Sequence, residues 1–201
     1  MKNLLPGLIG LILVSVQAVA DTHSDSNSSS QGFDIDASKF NCMLDMTKVR
    51  HFYVGNVDPD KLDATKALAE AGTGEYPEGS IVQLVPTEVM VKQPKGTSPA
   101  TKDWEFFELN VSAEGTEIHK RGYTDVVNRF GGNCLGCHVK AKPEFDLICE
   151  QGHGCDPIPL TRNVIALLQK TDPRCGGRYM PTEQEIAILK QLRAALSQQQ
   201  P

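Results

Sequence analysis

The 201-residue chain predicts an α+β fold, an antiparallel β-sheet with packed helices. Three observations carry that expectation. Short runs of β-branched and aromatic residues, broken by Gly and Pro turns, recur between residues 49 and 120. Helix-start signals stand at Asp58-Pro59, at Thr161 and at Thr182. No internal repeat divides the chain, so residues 33–201 read as one domain of ordinary size.

Ahead of that domain, Met1-Lys2-Asn3 leads into an apolar run from Leu4 to Val16, and Ala18-Val19-Ala20 precedes Asp21. A charged start, a short apolar region and an A-x-A site make residues 1–20 a signal peptide, with export to the periplasm expected. The run is too short for a membrane anchor and is interrupted by Pro6 and Gln17. Residues 21–32 are Asp, Thr, His, Ser, Asn, Gln and Gly with nothing apolar to bury, and read as a disordered linker in which His23 is idle.

The elements follow in order. Val49–Val54 reads as one strand. Asp58 caps and Pro59 opens a helix with Leu62, Thr65, Leu68 and Ala69 on one face, ended by Gly72. Strands are expected over 80–85 and 87–92, then a surface loop over 92–103. Over 104–112, Phe107, Leu109 and Val111 alternate with Glu108 and Asn110, the pattern of a half-buried strand, and 116–120 is its hairpin partner. Residues 123–130 read as a short helix. Thr161 caps a helix running to Lys170, and Thr182-Glu183-Gln184-Glu185 is a capping box. The helix it opens carries an apolar stripe of Ile186, Ile188, Leu189, Leu192 and Leu196, expected to pack in the core.

The most informative stretch is Gly131-Gly132-Asn133-Cys134-Leu135-Gly136-Cys137-His138. Cys134-x-x-Cys137-His138 is the attachment sequence of a c-type haem, and the composition yields only about 0.004 chance matches in a chain this long. Two thiols three positions apart reach the two vinyl groups of one porphyrin edge, and the adjoining His138 becomes the axial iron ligand. A redox dithiol would want a βαβ context, and zinc a second Cys/His pair. Haem c with its iron is therefore the expected cofactor.

Four cysteines remain in an oxidising compartment. Cys149 and Cys155 flank a short loop with two glycines and are expected to pair; Cys42 and Cys175 are then left over, a pairing the sequence itself does not determine. The rival, a metal at Cys149, His153 and Cys155, lacks a fourth ligand. Without the leader's Lys2, 20 basic residues become 19 against 25 acidic ones, a net charge of −6. That excludes nucleic acid and anionic membrane as partners.

Thr73-Gly74-Glu75-Tyr76-Pro77-Glu78-Gly79-Ser80, the strand after it, Trp104-Glu105-Phe106-Phe107 and the late Cys-x-x-Cys-His together resemble the cytochrome P-460 family, which includes the beta-type cytochromes c-prime. The resemblance spans about residues 46–160. It implies haem c bound against the antiparallel sheet, His138 on one side of the iron and an open or apolar distal pocket on the other. Hydroxylamine-oxidising members carry a porphyrin-linked lysine on the strand after the Gly turn. That position falls near Leu84, a possible distal cap along with Ile81 or Val82, and no lysine occurs over 80–91. Lys92 would serve only with a shifted register. Phe106 and Phe107 are further candidates for the haem face.

Tyr179-Met180-Pro181 followed by a helix resembles instead the end of a class I cytochrome c, in which Met180 would be the sixth ligand of an electron carrier. The alternative for Met180 is packing under the last helix. His51, His119 and His153 are formal ligands too, and Glu144 and Asp146 are expected to face water. The function expected is thus a periplasmic monohaem cytochrome with five-coordinate iron for small ligands such as nitric oxide, or for redox. The alternatives are a Met180-ligated carrier and oxidation of hydroxylamine-type compounds, so the sequence does not decide whether the protein is an enzyme. Its partner is a small ligand or a redox protein, and both monomer and dimer remain open.

Overall fold

Six strands follow one another in space as they do in sequence, each antiparallel to the last. The computed structural model describes residues 32–197. The expected signal peptide, all but the end of the linker and the last four residues lie outside the described residues. The strands are β1 Thr47–Val49, β2 Phe52–Asn56, β3 Ser80–Val85, β4 Glu88–Lys92, β5 Trp104–Ser112 and β6 Gly115–Gly122. The four helices among the described residues are α1 Leu62–Ala71, α2 Cys134–His138, α3 Arg162–Lys170 and α4 Glu183–Ser197. The α+β class and the antiparallel sheet are as expected.

The single strand expected over Val49–Val54 is in fact two. Val49 pairs with Phe52, and Arg50 turns the chain between them at φ 53°. A two-residue hairpin needs positive φ, and no Gly or Asn marks it here, so the reversal hides within a run of strand formers. α1 begins as foreseen: the Asp58 carboxylate accepts the Asp60 amide ahead of a 3₁₀ turn at Pro59–Lys61, and Gly72 ends the helix at φ 76°. It buries Thr65 and Ala69 against β2.

The sheet is covered on both faces, because successive side chains of a strand point to opposite sides. One face carries Phe52, Val54, Val82, Met90, Trp104 and Phe106, against which Leu147, Ile148, Cys134 and Leu135 pack. The other carries Ile81, Val89, Val91, Phe107 and Leu109 under Ile35 and Phe40. β5 is consequently buried on both sides from Trp104 to Leu109, and half-buried only beyond. Its alternation is real, but Glu108 faces inward. The 92–103 segment is likewise no plain surface loop. Gln93, Thr101 and Asp103 are buried, and the Asp103 carboxylate accepts the Gly96 and Ser98 amides.

Residues 123–130 are not helical. Val127 bridges to Asn133, and the Asn128 carboxamide accepts the Phe130 and Gly132 amides, closing a turn with Gly131 at φ 78°. A short polar side chain that satisfies nearby backbone offers the chain an alternative to helix. Thr161 caps α3 through the Val164 amide, and Thr182 and Glu185 form the reciprocal bonds of the capping box. α4 lies on the outside, touching α3. Its stripe is half-covered, and Ile186 is exposed, so the core packing expected of it does not occur.

Both disulfides form, Cys149–Cys155 and Cys42–Cys175, with Cα separations of 5.6 and 4.8 Å. The first spends both thiols that a metal at His153 would need. The second ties the N-terminal segment to the turn after α3. There the Arg174 guanidinium donates to the Phe40 carbonyl and to the buried Asp172 carboxylate, which also accepts the Met43 amide. Among the described residues, no helix is long and apolar enough to cross a membrane.

Candidate haem-attachment site

Cys134, Cys137 and His138 lie on α2, a helix of five residues. Its start is local chemistry: the Asn133 carboxamide oxygen accepts the Gly136 amide at 2.7 Å, an N-cap bond. One turn of helix then presents both thiols and the imidazole along the wall of a cavity of about 460 Å³. Phe52, Val82, Leu84, Met90 and Phe106 of the sheet line the opposite wall, and Ile148, Leu160 and Ile165 close the remaining side. The walls named are apolar, while Glu88, Glu150, Asp156 and Arg162 add charged groups to the lining.

His138 is held in a specific form. Its Nδ1 lies 2.7 Å from the Leu147 carbonyl oxygen, which can only accept, so the proton sits on Nδ1 and Nε2 keeps its lone pair. Desolvation holds its pKa below the ordinary 6.5, so the ring is neutral at pH 7 although its open edge leaves it only half-buried. A neutral imidazole with one nitrogen tied to a carbonyl is the form in which histidine ligates a metal. The Phe106 ring, 5.4 Å away between centroids, packs against it.

The carbonyl that orients His138 is itself anchored to the sheet. Asp146 and Leu147 both adopt positive φ, at 46° and 64°. The Asp146 carboxylate accepts two bonds from Lys92 Nζ, at 2.8 and 2.9 Å, and the Tyr76 amide at 2.9 Å. Trp104 Nε1 donates to the Asp146 carbonyl at 2.8 Å. Desolvation pushes the Asp146 pKa up, with Lys92 and the Tyr76 amide opposing. Asp146 was expected to face water; it is buried because it alone satisfies these three donors. Glu144 does face solvent.

The thiols are free, and Cys134 has its pKa pushed up to about 12 by burial and by the nearby Glu88 and Glu108 carboxylates. Burial and these carboxylates thus favour the protonated thiol over the thiolate in the chain without a bound group. Cys137 is shifted upward too, chiefly by burial. A thiol that stays protonated and half-buried beside an apolar cavity remains compatible with thioether formation. No cluster of three metal-ligating side chains occurs among the described residues.

The strand pleat decides the distal candidates. Val82 and Leu84 line the cavity, whereas Ile81 belongs to the opposite face. Phe106 points to the cavity side, and Phe107 packs on Phe40 behind the sheet. Met180 is 81% exposed and lies outside the cavity, so it neither reaches the site nor packs under α4. His153 stacks on Phe145 and bonds the Ile148 carbonyl, and His119 is on outer strand β6. Of the formal histidine candidates, only His51 lines the cavity. Lys92 is held by Asp146 beside Trp104, and no lysine lines the cavity among the described residues.

Several lining residues went unnoticed in the sequence, Met90, Ile148 and Glu88, as did the burial of Glu108 opposite Glu88 on β5. The signal for the last two was present. Glu88 shares its strand face with Met90 on β4, and a carboxylate in step with an apolar cavity residue on a central strand calls for a reason. No family model, no curated protein and no solved structure matches this chain.

Proposed function

We propose that this chain is an exported monohaem c-type cytochrome resembling the cytochrome P-460 family, with haem joined to Cys134 and Cys137 and its iron held by His138. One observation carries the reading. Of six cysteines, the four outside the motif are spent in two disulfides, while the two inside it stay free beside an imidazole in its ligand form. When bound, the group would supply one-electron exchange and an iron site for a small ligand.

The protein's own part is to position and to exclude. Leu147 fixes the His138 tautomer, Phe106 fixes its ring plane, and Val82, Leu84, Phe52 and Met90 keep water from the cavity. With Met180 out of reach, a five-coordinate iron behind apolar walls is the favoured form, and nitric oxide-like ligands suit it. For a porphyrin–lysine bond of the hydroxylamine-oxidising kind, no lysine lines the cavity among the described residues, and Lys92 is paired with Asp146. A second reading, a six-coordinate electron carrier, rests on Met90 and His51, the thioether and the imidazole other than His138 in the lining.

The test is the optical spectrum of protein purified from a periplasmic expression host, oxidised and reduced, before and after nitric oxide. A covalent haem with a high-spin reduced spectrum that shifts at once with gas is expected. A low-spin, gas-resistant spectrum converted to high spin by Met90→Ala or His51→Ala would establish the second reading. Protein without covalent haem would overturn both.

A further inference from the structure

Glu88 opens β4 directly opposite Glu108 on β5, two carboxylates on one cross-strand pair at the end of the cavity near Cys134. Like charges placed so are unfavourable unless compensated. Among the described residues the cation ion-paired with either carboxylate is Arg129, although Lys120 of β6 stands in register with Glu108. Arg129 Nε donates to Glu108 Oε1 and its Nη2 to the Leu109 carbonyl, both at 2.6 Å. Glu88 is left with an amide hydrogen bond from Asn128, and its Oε1 is shut off from water with no partner, as is Glu108 Oε2. Glu88 is thus a cavity-lining acid with neither a counter-charge of its own nor full solvation. Nothing in its packing calls for a carboxyl there; an apolar residue would suit the strand better.

We propose that Glu88 takes up a proton when the bound haem is reduced, so that electron and proton enter the cavity together. This inference rests on the haem reading above. A one-electron donor delivers the electron to the iron, solvent supplies the proton, and the Glu88 carboxylate becomes a carboxyl. The net charge of the cavity is then unchanged by reduction. In a site of low polarity an added electron raises the proton affinity of an unpaired carboxylate, and the coupling is reciprocal: protonation favours reduction. In the haem-free cavity burial, and after it the Glu108 charge, raise the Glu88 pKa to about 7. Glu108 is desolvated too and its pKa is likewise raised, but its Oε1 is paired with Arg129, so of the two acids Glu88 is the one without a counter-charge of its own.

The groups that face Glu88 are Glu108 from β5, Asn128 and Arg129 from the 123–133 turn, and Cys134 and Cys137 from α2, with His119 of β6 acting on Glu108. Elsewhere in the lining, His51, Glu150, Asp156 and Arg162 also carry charge or titrate. His51 is the competing proton site, and its pKa is lowered by burial.

The experiment is a redox titration of the haem-loaded protein from pH 5 to 9, in wild type, Glu88→Gln and His51→Gln. Wild type should lose potential as pH rises around neutrality, approaching about 59 mV for each tenfold fall in proton concentration. Glu88→Gln should flatten that slope and His51→Gln should keep it. A slope that survives Glu88→Gln, one lost only in His51→Gln, or a pH-independent wild type would each overturn the proposal. Infrared difference spectra of the wild type provide a check that needs no variant: reduction at pH 7 should add one carboxyl C=O band, and its absence would equally refute it. A purified protein without haem c would instead refute the haem reading itself, and the absorbance spectrum separates the two failures.

Discussion

Replacing Lys92 by methionine tests whether the sheet holds His138 through Asp146. Lys92 is 2% exposed, and its ammonium makes two bonds to a carboxylate that is equally buried. Methionine matches the stem and removes the charge, leaving Asp146 with the Tyr76 amide and no counter-ion. Stranding one member of a buried pair costs about 3–5 kcal/mol, mostly desolvation left uncompensated. The cost should grow with pH. Desolvation already raises the Asp146 pKa against the pull of Lys92, and without that pull the group binds its proton more tightly in the folded state than in the unfolded chain. The variant is therefore penalised least at pH 5 and most at pH 8. Asp146→Asn keeps the positive φ that asparagine tolerates, and should cost a comparable amount by stranding Lys92. The double variant Lys92→Met/Asp146→Asn should lose much less than the sum, with a coupling of roughly 3 kcal/mol, since neither charge is then left alone. Urea unfolding at pH 5, 7 and 8 measures all three. In the same samples the single variants should broaden the spectrum of bound haem, because the Leu147 carbonyl that orients His138 is adjacent. A Lys92→Met cost under 1 kcal/mol, or strict additivity in the double variant, would refute the reasoning.

Three further outcomes are expected. The Cys42–Cys175 bridge spans 133 residues and Cys149–Cys155 only 6. Loop-closure entropy then assigns about 5 and about 2 kcal/mol to them, so the paired alanine variants should differ in that order in urea. Glu88, its pKa raised to about 7 from an ordinary 4.5, costs the haem-free fold nothing while protonated below 4.5 and increasingly more up to 7. Glu88→Gln should accordingly remove a fall in stability across that window, roughly 3 kcal/mol at the upper limit, as read from thermal unfolding between pH 4 and 8. Met180→Ala, at an 81% exposed position, should leave the reduced spectrum unchanged and alter stability by no more than about 0.5 kcal/mol.

The strands and capped helices were legible because each rests on neighbours in sequence. Apolar and β-branched runs mark β3 and β4, alternation marks β5, Asp58 and Thr161 cap through amides two or three residues on, and Thr182 and Glu185 bond each other. Cys134, Cys137 and His138 were legible as a motif for the same reason: the motif is read from spacing alone. The Arg50 reversal was not, since positive φ at an ordinary residue leaves no compositional trace. Neither was the turn at 123–130, where one asparagine's carboxamide overrides helical periodicity.

What the sequence by itself determined is the attachment motif, the alternating strands and the thiol count, all local or arithmetical properties. Tertiary structure alone decided which side of each strand meets the cavity. A period of two says that Ile81 and Val82 face opposite ways but not which way is inward. It also decided that Glu108 looks into the protein and that Asp146 anchors the histidine loop. Those outcomes depend on what covers the sheet, Ile35 and Phe40 on one face and α2 with residues 146–148 on the other, segments brought together from positions far apart in the chain.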